Sequence, residues 1–111
     1  MTLYITQGNY TAQAIQAMTQ APEDREKIVA KLVEAAGGKL HAMYLTLGEY
    51  DFMLIAEAPN EGALSAAILA AASGGSLKNL KTTVAMTTKD GVKAFKKAGE
   101  LSKSFRSAGK K

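Results

Sequence analysis

Two neighbouring runs, KLHAMYLTLG over residues 39–48 and YDFMLIAEA over 50–58, are apolar at nearly every position and meet at one tight turn. Runs this short, bounded by Gly and Pro, fit strands, and two strands so close in sequence form a hairpin. A strand with one wet face alternates apolar and polar residues with a period of two. Neither run does. In the second, Phe52, Leu54 and Ala56 face one way, and Met53 and Ile55 the other. In the first, strict alternation sets Leu40, Ala42 and Tyr44 against Met43 and Leu45. Both faces of the hairpin therefore need a cover, which demands a layered fold.

The rest of the chain supplies layers. TLYIT predicts a first strand over residues 2–7, ended by Gly8-Asn9. Thr11 can cap a short helix with Ala12, Ile15 and Met18 on its apolar side. Pro22 opens a stronger one, with Glu23, Asp24 and Glu26 at the positive end of its dipole. Ile28, Val29, Leu32, Val33 and Ala36 form its stripe, and Gly37-Gly38 ends it. The two pieces are either one helix bent near Pro22 or two at an angle. After Pro59-Asn60, Leu64, Ala67, Ile68 and Ala71 mark a third helix, stopped by Gly74-Gly75. LKTTVAMTT (80–88) predicts a fourth strand. Thr88 or Asp90 then caps a final helix with Ala94, Ala98, Leu101 and Phe105 along one side and Val92 and Phe95 beside them.

The order β-α-β-β-α-β followed by an extra helix is the α+β, ferredoxin-like arrangement with a four-stranded antiparallel sheet. Right-handed crossovers place the helices on one face. Met43, Leu45, Met53 and Ile55 are then expected on the other face, as an interface with a second copy. A dimeric α/β-barrel assembly, or a higher ring built from it, follows. The final helix offers a second way to cover that face, or a clasp for a neighbour.

A chain of 111 residues suits one domain. Residues 1–88 are expected as its core and 89–111 as a basic amphipathic helix and tail. The charge supports that division. Residues 92–111 carry seven basic side chains against Glu100, whereas the other 91 carry seven basic and nine acidic groups. The formal +4 is thus a property of the C-terminal segment. The chain has no cysteine, which excludes disulfides, thiolate metal sites and a cysteine nucleophile and fits a reducing compartment. MTLYITQ has no features of a signal peptide. The longest apolar stretch, 63–72, is ten residues, well short of the about 20 a spanning helix needs. A cytoplasmic location is expected.

The stretch YLTLGEYDFMLIAEAP (44–59) resembles the GYD domain family, as do YITQGNYT (4–11), KLVEAAGGKLHAMYLTLGEYD (31–51) and KTTVAMT (81–87). The resemblance covers about residues 2–88. It implies a fold similar to that of dimeric α/β-barrel proteins and implies no particular reaction. The basic last helix is longer than the family core.

Candidate chemistry gathers at the turn. Glu49 and Asp51 share a side of the strand and could divide acid and base roles, while Tyr50 points the other way. His41, the one histidine, and Tyr44 complete the catalytic candidates. Against this stands a purely structural account. Gly48 supplies a turn conformation, Asp51 caps backbone N–H groups and Tyr50 packs at the rim. A small-ligand site would draw on Tyr4, Tyr44, Gly48, Tyr50 and Asp51, and Tyr10, Met43, Met53 and Met86 could help line an apolar cavity. A lone histidine argues against a metal site, and neither metal nor cofactor is expected. Lys93, Lys96, Lys97, Lys103 and Arg106 could bind anions, though a solvated lysine face is the simpler account and nucleic acid is not favoured. The glycine pairs follow helices rather than precede them, unlike a phosphate loop.

Three functions remain. The favoured one is a non-catalytic homo-oligomer that binds a small ligand or a protein partner. The others are a metal-free enzyme of dimeric α/β-barrel type, such as an isomerase or cofactor-free oxygenase, and a binder of nucleic acid or anionic surfaces through the C-terminal helix.

Overall fold

A computed structural model describes residues 1–109; Lys110 and Lys111, counted above in the basic tail, lie outside the described residues. The elements are β1 (Thr2–Tyr10), α1 (Ala12–Gln20), α2 (Arg25–Ala35), β2 (Lys39–Leu45), β3 (Phe52–Ala58), α3 (Glu61–Ala72), β4 (Leu77–Ala85) and α4 (Thr88–Ser102). The strands form one antiparallel sheet in the order β2-β3-β1-β4. This is the expected ferredoxin-like layout, with β2 and β4 at the edges. Among the described residues no helix is long and apolar enough to cross a membrane.

Local chemistry explains most boundaries. Thr11 Oγ1 accepts from Ala14 N, and Asp24 Oδ1 accepts from Glu26 N, so the stretch 11–36 is two helices, each with its own cap. Gly37, at φ +87°, closes α2 in the left-handed conformation. β1, by contrast, does not stop at Gly8. It runs on to Tyr10, because that position needs to lack a side chain: a Cβ on Gly8 would sit 2.7 Å from Leu80 Cδ2 and 2.9 Å from Phe52 Cζ. The glycine that looks like a strand breaker is the seat of a core aromatic.

The register fixes the two faces. Tyr4 pairs with Ala56, Thr6 with Leu54 and Gly8 with Phe52. These residues look toward α1, α2 and α3. Tyr4, Thr6, Tyr10, Phe52, Ala56 and Ala58 are buried there. The Tyr10 and Phe52 rings pack 5.1 Å apart, tilted at 38°, and the Thr6 hydroxyl bonds to that of Thr82 at 3.0 Å. Leu3, Ile5, Met53 and Ile55 alternate onto the opposite face.

β2 departs from strict alternation. Leu40 pairs with Ala56, but Ala42 pairs with Ile55, so His41 is an extra, bulged residue. Beyond it every side chain changes sides. Met43 and Leu45, expected on the open face, instead pair with Leu54 and Phe52 on the helix side, and Met43 packs against the cluster around Tyr10, Ala14 and Phe52. Ala42 and Tyr44 join Met53 and Ile55 on the open face. A second irregularity falls between β1 and β4, where Asn79 adopts φ +55°.

The last helix stands apart. No element packs extensively along α4, and Val92, Phe95, Leu101 and the nearby Phe105 are all exposed. The molecule measures 64 × 31 × 22 Å, with a radius of gyration of 18.3 Å. A compact chain of this length would have about 13 Å.

Candidate functional site

The end of β1 and the β2–β3 turn are laced together. Asp51 N donates to the Gly8 carbonyl at 2.9 Å, and Asp51 Oδ2 accepts from Tyr10 N at 3.0 Å. Thr46 N donates to the Asp51 carbonyl and Thr46 Oγ1 to that of Tyr50. Asn9 Nδ2 donates to the Glu49 carbonyl at 3.1 Å. Asp51 thus satisfies a strand-end amide with a charge-assisted bond.

Beside this corner, between α1, the α1–α2 connection and the outer end of β2, lies a groove of about 520 Å³. Tyr10, Met18 and Met43 are among its lining, and Ile15, Leu45 and Leu47 line it with apolar side chains that are 48%, 77% and 99% exposed. Its rim is charged. Glu23, Asp24, Glu26 and Asp51 bring four carboxylates against the one guanidinium of Arg25. Arg25 is held by Glu23 at 2.6 Å, whereas Glu26 has no ion pair among the described residues. Burial pushes the Tyr10 phenol above its ordinary pKa, the Arg25 charge pulls it down and the Asp51 carboxylate adds to the rise. At neutral pH the groove therefore offers a neutral phenol, an apolar floor and an acidic edge. A second cavity, about 330 Å³, lies between α2, α3 and the sheet; its lining is mainly apolar, including Leu32, Leu54 and Ile68, with Thr6 as a polar group.

The candidates from sequence do not converge. Tyr44 and Asp51 reach the groove. His41 belongs elsewhere: its Nε2 lies 3.1 Å from Glu57 Oε1 on the bulged edge. Glu49 is exposed and engages Asn9 through its carbonyl, not its carboxylate. Tyr4 is buried at 2% and, like Gly48 and Tyr50, lines neither cavity. Gly48 sits in the bend of the turn without needing to be glycine. Its φ is not left-handed, and a Cβ there would meet nothing within 4 Å. Arg25 and the acids of residues 23–26 were visible only as a helix start; the signal that they border a groove is that they follow Pro22 at the mouth of an exposed connection. Lys93, Lys96, Lys97 and Lys103 lie exposed on α4 and its cap, followed by Arg106, and Lys97 pairs with Glu100 at 3.6 Å.

Comparison with known proteins adds the following. The GYD domain model matches residues 4–95. A glutamine synthetase and cystathionine beta-lyase binding protein from Thermus thermophilus is 29% identical over 80 residues, spanning 72% of this chain and 84% of the relative. TTHA0845, also from Thermus thermophilus, superposes with a TM-score of 0.53 at 12% identity, covering 78% of this chain and 95% of that one. Hypothetical protein PHS023 from Pyrococcus horikoshii gives 0.51 at 17%, covering 78% and 92%. Identities this low speak to the fold alone.

Proposed function

The chain belongs to the GYD domain family, and from that premise we propose that it is a cytoplasmic binding protein that works as a homo-oligomer and takes a protein partner rather than turning over a substrate. The observation that carries this is the open face of the sheet. Leu3, Ile5, Met53 and Ile55 lie there side by side, half-buried, with Tyr44 57% exposed at the edge, and among the described residues no helix packs extensively over them. An apolar face of this kind is poorly tolerated in water and is best buried against another copy, sheet to sheet. That arrangement is the dimeric α/β-barrel type. The partner half of the proposal draws support from the Thermus relative, named as a binding protein for two enzymes. His41 and Glu49 lie away from the groove that Tyr44 and Asp51 reach, which supports binding over catalysis, since acid–base chemistry needs its groups within reach of one substrate.

Light scattering coupled to size exclusion tests both halves. The chain is expected to run as an oligomer at micromolar concentration, and Ile55→Lys to lower its mass. A stable monomer sinks the oligomer. Mixing with purified glutamine synthetase and cystathionine beta-lyase is expected to give co-elution with at least one, and co-elution with neither removes those partners.

A further inference from the structure

We propose that the apolar face of α4 docks in the acid-rimmed groove of a second copy of this chain, so that copies are joined by an exchanged C-terminal arm. At 100° per residue, Val92, Phe95, Ala98 and Leu101 fall on one half of α4, and Lys89, Lys93, Lys96 and Lys97 on the other. The apolar half includes Gly91, Ala94 and Gly99, which let a helix approach a surface closely. Phe95 is 80% exposed and Phe105 74%, so this face is left uncovered among the described residues.

The groove is the matching surface. Its exposed Ile15, Leu45 and Leu47 suit an apolar helix face, and its carboxylates suit the flanking lysines. The same opposition runs through the whole chain: the C-terminal segment is strongly basic and the remainder slightly acidic. α4 does not occupy the groove of its own copy, since no residue of α4 lines it. α4 begins after Ala85, which pairs with Leu3 at the start of β1, whereas the groove lies at the far end of β1, beside Tyr10. It also begins on β4, and the groove lies against β2, the opposite edge. Seven residues along a strand and three strand spacings across separate the start of α4 from the β2 side of the groove by about 28 Å. Only Met86 and Thr87 connect β4 to α4. A second copy carries both halves of the contact, the basic arm with its apolar face and the acid-rimmed groove. The docking stands independently of sheet-to-sheet pairing, because it uses neither Ile55 nor Met53.

The absence of native cysteine makes the test direct. Full-length Leu47→Cys is mixed with an affinity-tagged Ala98→Cys chain and oxidised gently. The expected result is a mixed disulfide between tagged and untagged chains as the main product, with little from Leu47→Cys mixed with Lys93→Cys, which lies on the lysine face. Adding Glu26→Lys to the groove chain should lower the yield roughly fivefold, and Lys96→Glu in the arm chain should restore it. Predominant Ala98→Cys homodimers would overturn the proposal in favour of α4–α4 pairing. Absence of the mixed product would overturn it outright, and co-sedimentation of such unlinked protein with phosphatidylserine vesicles would assign the arm to a lipid surface. Loss of oligomer in Ile55→Lys with the mixed disulfide intact would defeat the sheet pairing alone.

Discussion

A Cβ on Gly38 would overlap the Glu57 carbonyl oxygen, whereas one on Gly48 would touch nothing. Gly38→Ala is therefore expected to destabilise the fold by about 3 kcal/mol, because backbone cannot give way as a side-chain tip can. Gly48→Ala should stay within about 0.5 kcal/mol, as at an ordinary surface position. Urea midpoints of the two variants check this, and a midpoint for Gly48→Ala as low as that of Gly38→Ala would contradict it. If Gly48→Ala keeps its stability and loses mass in solution, the glycine of the GEYD turn serves a contact between chains. Tyr10 gives a pH prediction. Its folded pKa is raised above the unfolded value of 10.0, so its neutral form stabilises the fold fully below pH 10, and that contribution is lost as pH rises through the folded value. Melting temperatures above pH 10 should fall less steeply for Tyr10→Phe than for the parent; identical slopes would show that the phenol does not contribute.

At the level of elements, Thr11 has two tasks. It caps α1 and also donates to the Gly75 carbonyl at 3.1 Å, tying the helix to the loop before β4. Thr11→Ala should cost about 1 kcal/mol or somewhat more, measured by thermal unfolding, and a neutral outcome would show that solvent replaces both bonds. α4 differs from every other helix. At 15 residues it sits near the length at which an isolated helix is marginal in water. Its amides should exchange hydrogen quickly at high dilution and gain protection as concentration rises, whereas those of β1 and β3 should be slow throughout. Concentration-independent exchange would mean that α4 finds no partner. Much of this was legible in the sequence. Apolar periodicity, Gly37 and Asn60 located the helices because each acts on its own neighbourhood, whereas α2 opens not at Pro22 but at Arg25, behind the Asp24 cap. The faces of β2 were not legible, since one extra residue at His41 inverts all that follow. Nor was the end of β1, because only the tertiary position of Phe52 turns Gly8 from a breaker into a seat.

For the whole molecule, the radius of gyration is the sharpest observable. Small-angle scattering extrapolated to low concentration should give a value near 18.3 Å for the separated chain, and one near 13 Å would show α4 folded back on its own body. The β-α-β-β-α-β order was readable because each element announces itself locally. The destination of α4 was not, because an amphipathic pattern states that a face must be covered and not by what. The candidate site shared that fate: its acids, its tyrosine and its exposed leucines lie on four separate segments that only the fold assembles. The irregularities at the two outer strands have a further consequence. β2 carries its bulge at His41, and β4 its turned-out Asn79 between Lys78 and Lys81. An interrupted, charged border cannot template another strand. A protein with so much bare apolar surface is thereby kept from growing edge to edge into fibres.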